Sequence, residues 1–154
     1  MLEVGAKAPA FKLPTNGGGN VSLKDFKGKW IIVYFYPKDL TSGCTKQAIE
    51  FSAALAEFER HDAIIIGISP DSALSHDKFT EKHDLKIILA SDESKKTIES
   101  YDVWKEKKMY GNTYMGVERS TFLVDRNGTI NEIWRKVKVT DHVKKILKHL
   151  NSEN

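Results

Sequence analysis

Two uninterrupted apolar runs constrain this chain most: residues 30–36, Trp-Ile-Ile-Val-Tyr-Phe-Tyr, and residues 63–69, Ala-Ile-Ile-Ile-Gly-Ile-Ser. Both are rich in β-branched and aromatic residues and neither alternates with polar ones, the pattern of central strands covered on both faces. Between them, Cys44, Ala48, Phe51, Leu55 and Phe58 follow the spacing of one helix face. Strand, helix and strand of this length imply a right-handed parallel crossover. The segment leaving the first strand then lies at the carboxyl end of the sheet, where α/β folds carry their sites.

The remaining punctuation extends this plan. Asn16-Gly-Gly-Gly-Asn20 separates two short extended candidates, 11–14 and 21–23, and reads as an N-terminal hairpin. Its glycines lack the spacing of a phosphate-cradling loop. A helix is predicted over 72–83, a short strand over 87–90, and strands over 120–124 and 129–134 about an Asn-Gly turn. A last helix is predicted over 141–150. This order resembles a thioredoxin-like α/β fold: a central mixed β-sheet flanked by helices, with an N-terminal β-hairpin extension. At 154 residues and 40% hydrophobic content, residues 1–154 are expected to form a single domain.

Several function classes are disfavoured. The net charge is only +3 and the basic residues are scattered; the cation-rich stretch 135–149 reads as a solvated helix face, so no nucleic-acid partner is expected. The first fifteen residues lack the apolar core of a secretion signal, and the run 30–36 is far too short to span a bilayer. A soluble cytoplasmic protein is the expectation. His61, His76, His83, His142 and His149 show no metal-ligand spacing and are expected to be solvated; neither metal nor cofactor is expected.

The single cysteine, Cys44, excludes an internal disulfide, a Cys-X-X-Cys redox pair and a thiolate zinc cage built from one chain. Its address is informative. Pro37 ends the first apolar run and a helical pattern opens near Thr41, which puts Cys44 in a first helical turn, among unpaired N–H groups at the positive end of the helix dipole. Such surroundings favour thiolate, the nucleophilic form, over a thiol of ordinary pKa about 8.5. Thr41 stands at the spacing of an N-cap whose hydroxyl accepts a first-turn N–H, and Pro37 would wall one side of a pocket. A lone cysteine is more often an inert buried hydrophobe, but that is not the expectation at the carboxyl end of a central strand. Lys38 and Asp39 border the site and either tune it or face solvent. Tyr101, Trp104, Tyr110 and Tyr114 are read as packing residues, with the loop 105–116 as an entrance wall.

Phe35-Tyr-Pro-Lys-Asp39 with Thr41-Ser-Gly-Cys-Thr45 resembles the active-site loop of the peroxiredoxins, in particular the bacterioferritin comigratory protein (peroxiredoxin Q) subfamily. The family pattern Pro-x-x-x-Thr-x-x-Cys is met by Pro37, Thr41 and Cys44. Its distant arginine is met by Arg119, and the likeness covers nearly the whole chain. The resemblance implies a thiol peroxidase in antioxidant defence. Cys44 would attack a hydroperoxide and become a sulfenic acid, Arg119 would stabilise the thiolate and orient the peroxide, and Thr41 would hydrogen-bond the substrate. It also favours a monomer, with a dimer as the alternative.

Two positions depart from the subfamily. Ser42 stands where a proline is common, which loosens the first turn, and Ile49 stands where a second cysteine often lies. The expectation is therefore a one-cysteine mechanism, resolved by an external thiol such as thioredoxin, glutaredoxin with glutathione, or another small thiol. Two alternatives stand beside it: a thioredoxin-like redox sensor or binding module in which Cys44 oxidises slowly, and a thiol-disulfide oxidoreductase, against which the missing Cys-X-X-Cys counts.

Overall fold

A computed structural model describes residues 2–153. The two apolar runs form adjacent central strands. β3 (Trp30–Phe35) pairs in parallel with β4 (Ala63–Ser69), with Trp30 opposite Ala63 and Phe35 opposite Ile68. The sheet has the order β5-β4-β3-β8-β9, where β5 is Ile88–Ser91, β8 is Ser120–Val124 and β9 is Ile130–Trp134. β5 runs parallel to β4, β8 antiparallel to β3, and β9 antiparallel to β8, giving the expected mixed sheet. The N-terminal hairpin is β1 (Lys12–Pro14) with β2 (Asn20–Ser22).

Alternation along β3 divides the interior into two layers. Ile31, Val33 and Phe35 meet Phe11, Leu13, Val21 and Tyr101 on the face covered by the hairpin and by α4 (Lys96–Ser100). Ile32, Tyr34 and Tyr36 meet the helices of the opposite face: α1 (Ser42–Ala53), α2 (Leu55–Arg60), α3 (Ala73–His83) and α5 (His142–Glu153). Cys44, Ala48, Phe51 and Phe58 all point into this second layer. The single helix expected over these positions is divided at Ala54, whose φ of −93° and ψ of 3° interrupt the helical geometry.

Two elements depart from expectation. Residues 105–116 are a hairpin, β6 (Trp104–Met109) with β7 (Asn112–Val117), rather than a loop. Its turn is Tyr110-Gly111, both at positive φ (51° and 81°), the geometry that matches strand twist in a two-residue hairpin. The largely polar Lys-Glu-Lys-Lys run has no apolar alternation to announce a strand, because the hairpin stands outside the central sheet. The expected solvated histidines also need correction: His76 and His142 are buried, at 0% and 3% exposure. Their neighbours in sequence are charged, but α3 and α5 turn these two positions towards the sheet.

Candidate active site

The end of β3 feeds residues 37–41 into the first turn of α1, so Cys44 sits beside the strand's carboxyl end. It is only 2% exposed and is a free thiol. β8 runs antiparallel to β3 with Ser120 opposite Phe35, which brings Arg119, one residue before β8, to the same end of the sheet. Its guanidinium then reaches across: Nη2 donates to Cys44 Sγ at 3.3 Å and Nη1 to Gln47 Oε1 at 2.6 Å. Gln47, one helical turn after Cys44, thus holds the second arm of the fork and fixes the plane of the first.

Gly43 permits this approach. A Cβ at that position would lie 3.3 Å from Arg119 Nη2, closer than side-chain carbons normally come. The cation, the sulfur and the bare Cα are therefore fitted to one another.

Thr41 occupies the N-cap of α1 with extended backbone (φ −80°, ψ 156°), and its carbonyl accepts Thr45 N–H at 2.9 Å. Its hydroxyl does not cap the helix as the spacing predicts; it donates to the Lys38 carbonyl at 2.9 Å. The bend of the preceding loop, in which Leu40 adopts φ of 65°, brings that carbonyl within reach. The first-turn N–H groups consequently receive no side-chain cap. Pro37 lies partly exposed where β3 ends, and Ile49 is exposed on α1.

Asp39 faces the interior, not solvent. Its carboxylate accepts from Tyr36 Oη at 2.5 Å and Ser75 Oγ at 2.8 Å and meets His76 Nδ1 at 2.6 Å, while its backbone N–H donates to Asp71 Oδ2 at 2.8 Å. Burial, then the neighbouring Tyr34 and Asp39, push the Tyr36 phenol well above the usual tyrosine range, so it stays a neutral donor. The sequence signal for this anchor is thin: Asp39 stands in the loop before Cys44, and no spacing links it to His76. Of the aromatic residues before Arg119, Tyr101 packs in the core whereas Tyr110 and Tyr114 are exposed.

Among the described residues no cluster of three or more His, Cys, Asp or Glu side chains is arranged to hold a metal, and no helix is long and apolar enough to cross a membrane.

Comparison with known proteins agrees with this geometry. Residues 4–133 match the AhpC/TSA family. Peroxiredoxin Bcp of Bacillus subtilis is 51% identical over 149 residues, covering 97% of this chain and 95% of the relative. Among solved structures, a mutant of Xylella fastidiosa peroxiredoxin Q superposes with a TM-score of 0.94 at 36% identity, covering 99% of this chain and 98% of the other. The Xanthomonas campestris bacterioferritin comigratory protein, solved in work on its alkyl peroxide reduction activity, gives 0.91 at 39% identity, with 98% and 99% covered. The thioredoxin-like fold, the sulfur under a cationic fork and these likenesses lead to one conclusion: the chain belongs to the AhpC/TSA family, as a peroxiredoxin of the bacterioferritin comigratory protein (peroxiredoxin Q) type with a single cysteine.

Proposed function

We propose that Cys44 is the peroxidatic sulfur of this thiol peroxidase and that it turns over by a one-cysteine mechanism. The observation that carries the reading is the 3.3 Å contact from Arg119 Nη2 to Cys44 Sγ, braced by Gln47. A fixed cation at the sulfur remains in place as charge moves onto the departing oxygen, when such a donor lowers the barrier most. The Cys44 sulfur attacks the near oxygen of hydrogen peroxide or an organic hydroperoxide. An S–O bond forms, the O–O bond breaks, and the distal oxygen leaves with the bonding electrons and takes up a proton as water or alcohol. Cys44 becomes a sulfenic acid, oxidised by two electrons.

The uncapped N–H groups at the start of α1 supply further donors for the peroxide, the Thr41 hydroxyl, whose proton goes to the Lys38 carbonyl, offers it an acceptor, and Pro37 bounds the approach from the strand side. Because Ile49 replaces a possible resolving cysteine and the sequence holds no other, an outside thiol attacks the sulfenic sulfur and expels the hydroxyl as water. A second thiol then splits the mixed disulfide and regenerates Cys44. Thioredoxin, glutaredoxin with glutathione, or another small thiol serves in this role. We read residues 1–154 as one domain acting as a monomer in the cytoplasm.

The test is hydrogen peroxide consumption with excess dithiothreitol, comparing the protein with Cys44→Ser. Fast turnover abolished by the substitution is expected, with mass spectrometry showing a sulfenic acid on Cys44 after one equivalent of peroxide. Turnover no faster than free thiol, with hydrogen peroxide and with organic hydroperoxides alike, would remove the reading.

A further inference from the structure

A cavity of about 340 Å³ opens where the β6–β7 hairpin meets Arg119 and the segment after β9. Lys105 and Lys107 reach it from one strand, two residues apart, and Arg119 and Lys136 complete a set of four cations facing Glu106 and Glu118. Two of these cations are committed: Lys105 pairs with Asp102 at 2.8 Å, and Arg119 serves Cys44 and Gln47. Among the described residues Lys107 and Lys136 have no ion-pair partner.

Lys107 is the more constrained of the two. It is half-buried, and its stem lies along the bare Cα of Gly116, where a Cβ would come within 3.3 Å of Lys107 Cδ. Its ammonium thus stands beside a cavity that also holds the arginine in contact with Cys44.

We infer that this cavity receives the carboxylate of a small anionic thiol, with Lys107 as its principal cation, and so delivers that thiol's sulfur to oxidised Cys44. The inference rests on the one-cysteine reading, under which the resolving sulfur must come from outside; the link between cavity and sulfur is Arg119, which lines the one and donates to the other at 3.3 Å. The bound thiolate forms an S–S bond to Cys44 Sγ while the S–O bond breaks and the hydroxyl departs as water. A second molecule of the same thiol then displaces Cys44 from the mixed disulfide, so that the two thiols together give up two electrons and leave as their own disulfide. Burial and the neighbouring Arg119 lower the pKa of Lys107, with the Cys44 sulfur and Glu118 pulling the other way, in keeping with a cation that gains from an added negative charge.

The test oxidises Cys44 with one equivalent of hydrogen peroxide and follows its return to the thiol by mass spectrometry. Mercaptopropionate is compared with its uncharged amide, each rate normalised to thiolate concentration. At low ionic strength the anionic thiol should resolve the sulfenic acid about tenfold faster than the amide, an advantage that fades with added salt. Lys107→Met should bring that ratio towards one, and Lys107→Arg should restore it; taking a ratio within each variant cancels any effect on folding or on the peroxide step. A ratio near one in the unsubstituted protein, or one unchanged by Lys107→Met, overturns the inference while leaving the one-cysteine mechanism intact. If neither thiol returns Cys44 to its reduced state, the one-cysteine reading falls and the inference with it.

Discussion

Asp39 and His76 share a buried contact of 2.6 Å, their side chains 1% and 0% exposed. Asp39 belongs to the segment that carries Cys44 and His76 to α3, so the pair joins the turn after β3 to the helix after β4. His76 Nε2 donates to the Ala90 carbonyl at 3.0 Å, since a carbonyl can only accept, and Nδ1 meets Asp39 Oδ2. Ser69, Asp71 and Ser91 extend the network: Ser69 Oγ donates to Asp71 Oδ2 at 2.7 Å and Ser91 Oγ to the Asp71 carbonyl at 2.5 Å. The reactive turn is therefore held from below by side chains at the ends of β4 and β5.

Removing one member of such a pair strands the other in a dry interior. Asp39→Ala leaves Tyr36, Ser75 and His76 without their common partner and, at about 1–3 kcal/mol for a buried polar group left unsatisfied, should cost at least about 2 kcal/mol of stability, as read from urea unfolding. Peroxide reduction should slow as well, because the start of α1 loses its anchor. A loss below about 1 kcal/mol, within the range of an exposed pair, would show that the turn is held by other contacts.

Arg119→Ala should lower the second-order rate of Cys44 oxidation by hydrogen peroxide about 10²–10³-fold, the scale for deleting a preorganised donor at developing charge. Arg119→Lys should lie between, since it keeps a positive charge but cannot fork between Cys44 Sγ and Gln47 Oε1. Stopped-flow measurement on pre-reduced protein gives the rate directly. A thiol that merely met oxidant at a surface would lose little in either variant.

Gly43→Ala separates catalytic geometry from stability. The added methyl meets Arg119 Nη2 at 3.3 Å, and Gln47 already holds the other arm, so the guanidinium must move by tenths of an ångström. Peroxide reactivity should drop about 3- to 10-fold, in proportion to a displacement well under 1 Å. Thermal stability should change little, because alanine gains up to about 1 kcal/mol over glycine in a helix and offsets the crowding. Unchanged reactivity with normal folding would mean that the fork tolerates displacement.

Much of this arrangement was legible in the sequence. The β3–α1–β4 crossover follows from two apolar runs and a helical stripe, and the 119–128 segment carried both the arginine and the Asn-Gly turn. Local patterns failed where a residue's partner lies far along the chain. Thr41 fits an N-cap by spacing, yet the turn offers its hydroxyl the Lys38 carbonyl instead. His76 stands between serine and aspartate in sequence, and only the docking of α3 onto β5 aims it at Asp39 and Ala90. The β6–β7 strands carry lysines and the exposed Tyr114 and Met115 because the hairpin pairs outside the central sheet and only its base, Trp104 and Val117, packs on the core, so no hydrophobic period marks them.

His142 gives the protein a predictable acid sensitivity. It is buried at the start of α5, edge-on to Phe51 and Trp134, with Nε2 at 2.8 Å from Thr121 Oγ1. Burial, followed by the positive charges of Lys145 and Arg119, lowers its pKa from 6.5 to about 4. The unfolded chain thus binds this proton more tightly than the folded one, so the stabilisation is present above pH 6.5 and is lost as the pH falls towards about 4. Between about pH 7 and pH 4.5 this one residue should remove about 2 kcal/mol of unfolding free energy. His142→Gln keeps a hydrogen-bonding partner for Thr121 without a titrating ring, so its urea-measured stability should fall less over the same interval. If the two stability profiles run parallel, His142 contributes nothing to the acid sensitivity and the loss belongs to the carboxylates.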